Sequence, residues 1–263
     1  MTSLTKQYVV FTIDEFLSLL TTSFFAGFIL TFNDWGTTTL DIPSGVKNFL
    51  LMFISLFFVF LVTVWVCKVI AIKFGYTLNY RHHLAGLLIG LFFCVLSRGY
   101  FPLFLPGGFL LQQHERLHLG RFRNYYKGWE IGVITATFPL VLLLWILLLN
   151  PFYLATQSPT LLLFTSGISL AALFSCIPLP FFENNASGRA IDIFRYLRGS
   201  TFGLDVYYSS GAWYVVLCCT VLFFVSIAYL LTVMNISVGI FLYAVSFLVG
   251  LLGLWVYSNF FKK

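Results

Sequence analysis

The sequence predicts an all-α integral membrane protein with about seven transmembrane helices and a small membrane-associated β-hairpin. Three observations lead there. Of 263 residues, 60% are hydrophobic and only 9% are charged, against roughly 25% charged in a soluble domain. Phenylalanine alone occurs 32 times, more apolar surface than a soluble fold of this size can hide, so lipid is the expected solvent. The apolar residues also gather into runs near the roughly twenty residues that a crossing needs.

Those runs are Phe16–Phe32, Phe49–Cys67, Leu84–Leu96, Ile131–Leu149, Leu161–Ile177, Trp213–Val233 and Val238–Tyr257. The first is short. The third is interrupted by Arg98, Pro102 and Pro106, and reads either as a full crossing to about Leu105 or as a shorter helix leading into irregular buried backbone. The whole chain, 1–263, reads as a single polytopic domain.

Three connections are long. Asn33–Lys47 is a loop containing Thr, Gly and Pro. In Gly107–Glu130, the paired glycines, the Gly120 break and the alternation of Phe109, Leu111, Leu117 and Leu119 with polar neighbours predict an extended surface hairpin over Phe109–Tyr126. Glu183–Gly211 is polar and glycine-rich, with Ile191–Leu197 as a candidate short interfacial helix.

The net charge is +6. The basic residues are spread over connections, which points to anionic headgroups and away from nucleic acid. With seven crossings, Arg116, Arg121, Arg123, Lys127, Arg189, Arg195, Arg198, Lys262 and Lys263 share one side, and Lys6, Lys68, Lys73 and Arg81 hold the other. The positive-inside rule then puts the C-terminus in the cytoplasm, in the plasma membrane as the expected location. Cys67, Cys94, Cys176, Cys218 and Cys219 lie in or beside apolar runs without a CxxC, so no disulfide frame or thiolate zinc site is expected. The N-terminus lacks the order of a cleaved signal peptide.

Two constellations could carry chemistry. His114-Glu115-Arg116-Leu117-His118 matches HExxH, which on a helix gives two zinc ligands and a general base. On an extended strand the two histidines would stand about 13 Å apart, too far for one ion, so a solvated hairpin competes with the zinc reading. Cys176-Ile-Pro-Leu-Pro-Phe-Phe-Glu183 breaks a helix directly after an apolar run. Glu183 is there either a carboxylate beside a helix break inside the protein, a functional position by default, or a solvated residue past the helix end. Arg98 must snorkel or find a partner, with Glu130 and Glu183 as candidates. His82 and His83 read as interfacial residues.

Several stretches, in order, resemble the site-2 protease family of intramembrane zinc metalloproteases, most closely its compact archaeal-type members. Cys67-Lys-Val-Ile-Ala-Ile-Lys-Phe-Gly-Tyr76 is similar to the end of that family's metal-bearing helix. Leu105-Pro-Gly-Gly108 is similar to its Pro-Gly approach to a membrane-associated hairpin. His118-Leu-Gly-Arg-Phe-Arg123, Trp129-Glu-Ile-Gly132 and Phe138-Pro-Leu140 resemble the hairpin exit and the next helix. Pro178-Leu-Pro-Phe-Phe-Glu183 resembles its Pro-x-Pro-x-x-Asp-Gly motif. The resemblance implies a core over about 49–194 and an added C-terminal helix pair over 212–258.

The departures from that pattern concern the chemistry. The family's own HExxH falls on Thr63, Val64 and Cys67, which replace both histidines and the glutamate. Glu183 and Asn184 replace the Asp-Gly pair, and Leu142 and Ser175 stand where asparagines are expected. Zinc hydrolysis needs three protein ligands and an activated water. The expectation is therefore a catalytically inactive relative with no metal, no cofactor and no catalytic residue, acting as a binding, adaptor or structural subunit. Its partners are the lipid bilayer and other membrane proteins or transmembrane segments. The alternatives are an active zinc metalloprotease using His114, Glu115 and His118, and a transporter or channel subunit. Against the last, the runs hold almost no ionisable residues and show no half-repeats.

Overall fold

The computed structural model describes residues 9–36, 41–113, 128–178, 201–234, 236 and 238–260. Helix α1 (Ile13–Leu30) begins in a capping box, in which the Thr12 hydroxyl accepts the Glu15 N–H and the Glu15 carboxylate accepts the Thr12 N–H. Helix α2 (Ile42–Lys73) starts at Asp41, whose side chain accepts the Ser44 N–H. After a turn at Phe74–Gly75, strand β1 (Tyr76–Arg81) leads to helix α3 (Leu84–Leu96). His83 caps α3, its Nδ1 accepting the Gly86 N–H at 2.9 Å, and so serves as a helix start. Strand β2 is Gly108–Gln113. Helices α4 (Gly128–Thr156), α5 (Pro159–Ser175), α6 (Phe202–Ser209), α7 (Gly211–Val233) and α8 (Ile240–Phe260) follow.

Five of these, α1, α2, α4, α7 and α8, are long and apolar enough to cross a membrane. The other two apolar helices, α3 and α5, have 13 and 17 residues. Every apolar run therefore becomes a helix, but five rather than seven reach spanning length. The chain is a helical, multi-pass membrane protein with a two-stranded antiparallel sheet.

The expected hairpin over Phe109–Tyr126 falls within the described residues only as far as Gln113. Among the described residues strand β2 pairs with the earlier strand β1, and the register sets Arg81 opposite Gly108 and Tyr76 opposite Gln113. Residues 114–127 lie outside the described residues. The segment from His82 to Gly107 thus leaves the sheet and returns to it. Helix α3 runs alongside α1, from the level of Ser18, whose hydroxyl bonds His82 Nδ1 at 3.0 Å, to that of Asn33, which donates to the Gly99 carbonyl at 3.4 Å. The chain then comes back without helix. Phe104 and Leu105 are buried, and the Pro106 carbonyl accepts the Tyr80 hydroxyl and the Thr22 hydroxyl. Of the two readings of the third run, the structure is the short helix with buried irregular backbone, tolerated because protein and not lipid surrounds it.

Two glycine contacts make the packing possible. A Cβ on Gly90 would stand 2.0 Å from the Leu103 carbonyl oxygen, so only glycine lets the returning backbone lie against α3. On α8, a Cβ on Gly250 would meet Thr220 Oγ1 at 2.3 Å and one on Gly253 would meet Cys219 Sγ at 2.8 Å. Together with the fully buried Ser246, these form the small-residue face through which α8 lies on α7. The far side of α8 is exposed, with Phe241 and Trp255 outward.

The bundle has two distinct ends. At the sheet end lie the Glu15–Lys68 pair, the Tyr76–Glu130 hydrogen bond, a bridge between Gly108 and Thr201, and Tyr257 of α8 near Gly211 of α7. At the opposite end, Asn48 donates to Asp34 at 3.1 Å and Asn150 joins Thr232 and the Val238 N–H. This overturns the division of charge expected from seven crossings. Lys68, Lys73 and Arg81 stand at the same end as Gly108 and Glu130, because α3 and its return cancel each other. Arg98 is at the opposite end from Glu130, about 20 Å away by helix rise, and the two are not partners.

A Gly90→Val variant should lose about 2–3 kcal/mol of stability through overpacking against backbone, seen as a lowered unfolding midpoint in mild detergent. Gly239→Ala, with nothing within 4 Å of the new Cβ, should leave the midpoint unchanged. A Gly90→Val protein as stable as its parent would mean that the return segment does not lie on α3.

Candidate functional site

The resemblance directs attention to the inward face of α2. Phe60, Val64, Cys67 and Ala71 recur at helical spacing and all are fully buried, as is Thr63. The Thr63 hydroxyl donates to the Val59 carbonyl of its own helix at 2.7 Å, so it is turned inward on α2 itself. Across from this face stands an aromatic stack. Phe138 of α4 lies flat on Phe202 of α6 with centroids 4.1 Å apart, Phe109 of β2 meets Phe202 edge-on at 4.6 Å, and Phe60 reaches Phe138 at 6.2 Å. The rings are at most 4% exposed. The region is buried and aromatic.

Polar groups ring this stack at the sheet end. The Glu15 carboxylate accepts Lys68 Nζ at 2.7 Å, the Thr12 N–H at 2.8 Å and the Tyr80 N–H at 3.1 Å. Lys68 also donates to the Val10 carbonyl at 3.0 Å and lies 4.7 Å from the centre of the Phe11 ring. Both side chains are at most 2% exposed. Lys68 is therefore no loop charge, as its sequence position had indicated, but one half of a buried ion pair tying α1 to α2 and β1. Nearby, the Tyr76 hydroxyl donates to Glu130 at 2.9 Å and joins β1 to α4. Sequence reading missed both pairings, naming Lys68 as a loop charge and Glu130 as a partner for Arg98. The available signal was a lysine embedded in an apolar run and a carboxylate one turn into another.

The end of α5 is closed by groups from elsewhere in the chain. The Tyr214 hydroxyl of α7 donates to the Cys176 carbonyl at 3.0 Å, and the Thr201 hydroxyl donates to the Ile177 carbonyl at 2.7 Å. They satisfy carbonyls that the helix end leaves open before Pro178. Of the two positions read against expected asparagines, Leu142 is buried and the Ser175 hydroxyl donates to the Ala172 carbonyl at 2.7 Å. His114, Glu115, His118, Glu183 and Asn184 lie outside the described residues. Among the described residues no three His, Cys, Asp or Glu side chains come together in a group that could hold a metal ion.

Between α4, α5 and α7 a cavity of about 380 Å³ opens toward the end opposite the sheet. Its apolar walls carry Asn150, Thr165, Ser169, Tyr229 and Thr232. A second groove of about 300 Å³ runs between α4 and α7 nearer the sheet end, with Trp129 and Trp213 in its wall.

No family model, no curated protein and no solved structure matches this chain.

Truncating one member of the buried pair, as in Lys68→Ala or Glu15→Ala, should cost about 3–5 kcal/mol, because the other charge is left without compensation. The double variant Glu15→Gln, Lys68→Met should recover most of that loss. Unfolding midpoints in detergent report both outcomes, and additive losses in the double variant would show that the two side chains do not act as a pair.

Proposed function

We propose that this chain is a non-hydrolytic membrane protein of the site-2-protease-like type that binds transmembrane segments of other proteins as an adaptor or subunit of a membrane complex. The observation that carries this reading is the inward face of α2. A zinc hydrolase needs a metal with one open position and a base for its water. Thr63, Val64 and Cys67 offer neither base nor histidine there, and all three are fully buried.

The α4–α5–α7 cavity supports the binding half of the proposal. Hydroxyl and amide groups on otherwise apolar helix walls suit close association with another helix in lipid. Residues Thr165, Ser166 and Ser169 keep the wall of α5 small enough for a helix to approach.

Charge supports an orientation. All of the fifteen Lys and Arg except Lys47 and Arg98 lie in elements, tails or connections attached at the sheet end. The positive-inside rule places that end, with both termini, in the cytoplasm of a plasma-membrane protein. In this arrangement α5 is a sixth crossing and α3 enters and leaves from the cytoplasmic side.

Elemental analysis of protein purified without chelator, beside a His114→Ala, His118→Ala variant, tests the reading. The expected result is no stoichiometric zinc and no peptide-bond cleavage in either protein. One zinc per chain in the parent, lost in the variant together with a proteolytic activity, would establish the hydrolase instead. Reporter fusions at the N-terminus and at Lys263 should both read cytoplasmic, and a split result would refute the two-ended arrangement.

A further inference from the structure

The 300 Å³ groove between α4 and α7 begins at the sheet end, where Trp129 in the first turn of α4 and Trp213 in the first turn of α7 stand exposed on its two walls. Tyr257 of α8 reaches the same level, its hydroxyl 3.7 Å from where a Cβ on Gly211 would lie. Aromatic side chains with one polar edge gather where hydrocarbon meets headgroups. From Trp129 the groove follows α4 as far as Leu140, about 16 Å by helix rise. The hydrocarbon core of a bilayer is about 30 Å thick. The groove is therefore one leaflet deep.

Its inner side is closed and its outer side is open. Helix α6 comes so near α4 that a Cβ on Gly132 would stand 2.0 Å from Ser209 Oγ, and Val206 and Leu217 are buried at the floor. Val133 and Phe247, on the rims, are exposed. The hydroxyl hydrogens on its walls are spent on their own helices: Ser209 donates to the Val206 carbonyl at 2.7 Å, Thr137 to that of Val133 at 2.8 Å and Thr220 to that of Val216 at 2.7 Å. Helices α4, α7 and α8 are all long enough to span, so the opening meets acyl chains, and a water entering it would lack the polar partners it needs.

We propose that this groove binds one phospholipid of the sheet-end leaflet, an acyl chain lying along α4 and α7 and an anionic headgroup at the Trp129–Trp213 mouth. An acyl chain covers an apolar wall without asking for a hydrogen bond, and it arrives from the leaflet whose depth the groove matches. Charge at the mouth suits a phosphate. Lys73, exposed at the end of α2, immediately precedes Phe74, whose ring meets Trp129 edge-on at 5.7 Å. The carboxylate next to Trp129, that of Glu130, is buried and accepts the Tyr76 hydroxyl. The two indole N–H groups add donors. The bound lipid would tie α4, α7 and α8 together within one leaflet, whether or not the cavity on α5 receives a transmembrane segment.

The test is native mass spectrometry of the full chain in mild detergent, with phosphatidylglycerol or phosphatidylcholine added back after the co-purified lipid is exchanged out. The expected result is one retained lipid per chain, phosphatidylglycerol held about fivefold better, as a single nearby cation predicts. Ala136→Phe, which builds a ring into the groove, should abolish retention. Lys73→Gln should keep the lipid and lose the preference, and Leu248→Phe, on the exposed side of α8, should change neither. A phosphatidylglycerol with a photoreactive acyl chain gives a reading on the unaltered protein, with adducts concentrated on Val133, Ala136, Leu140 and Phe247. Absence of a retained lipid, equal retention of the two lipids by the parent, undiminished retention in Ala136→Phe, or adducts spread evenly onto Leu248 and Trp255 would overturn the proposal.

Discussion

Lipid offers no hydrogen bonds, and the non-helical chain from Pro102 to Gly107 must carry its peptide groups back along the bundle all the same. Everything around it answers that constraint. Helix α3 presents Gly90, so the Leu103 carbonyl can lie against helix backbone rather than against lipid. Tyr80 and Thr22, from β1 and α1, direct hydroxyls at the Pro106 carbonyl. Strand β1 takes up β2 as soon as the return segment reaches it. The sheet is therefore the device that ends a re-entrant excursion, and the Glu15–Lys68 pair is what holds that device to α1 and α2, since the same carboxylate accepts the Tyr80 N–H.

The re-entrant segment then sets the distribution of charge. Because α3 and its return end where they began, the elements before and after them face the same way, and basic residues that a simple crossing would divide are gathered at one end. The acidic groups buried there are committed to short contacts: Glu15 to Lys68, and Glu130 to Tyr76. Among the described residues Lys68, Lys73 and Arg81 thus share one end of the fold, and charge gathered on one side is the form in which anionic headgroups can respond to it.

The membrane class and the helix positions were legible in the sequence because apolar runs have the length that lipid demands. Strand β1 was equally legible and was passed over. Tyr76, Leu78 and Tyr80 alternate with Thr77, Asn79 and Arg81, and the burial follows that alternation, but a six-residue strand between two apolar runs reads as a connection unless its partner is known. That partner begins 27 residues further on, at Gly108, and pairing over such a separation leaves no local trace. Lys68 was misplaced for a related reason. A lysine in an apolar run looks like the run's edge, and only the tertiary position of Glu15 explains why α2 continues past it to Lys73. The uncharged character of Thr63, Val64 and Cys67 could be read directly, whereas the stack of Phe109, Phe138 and Phe202, which meets α2 at Phe60, comes from three elements far apart in sequence.

The polar groups inside the bundle also bear on what it can do. Among the described residues, Ser23 Oγ and Trp35 Nε1 are the buried side-chain polar atoms left without a partner. Elsewhere the interior hydroxyls largely turn back onto their own helices, as at Thr63, Thr220 and Ser246. A site for chemistry keeps donors and acceptors in reserve for a substrate and accepts the cost in stability. The inward face of α2 keeps none. The reserve is found at the cavity between α4, α5 and α7, where Tyr229 and Ser226 line an open space and can meet an incoming group. Within the proposed reading, this is how a fold built around a reactive centre becomes a binding protein. Its centre fills with aromatic side chains that hold the sheet, and its remaining capacity for interaction moves outward to the helix walls.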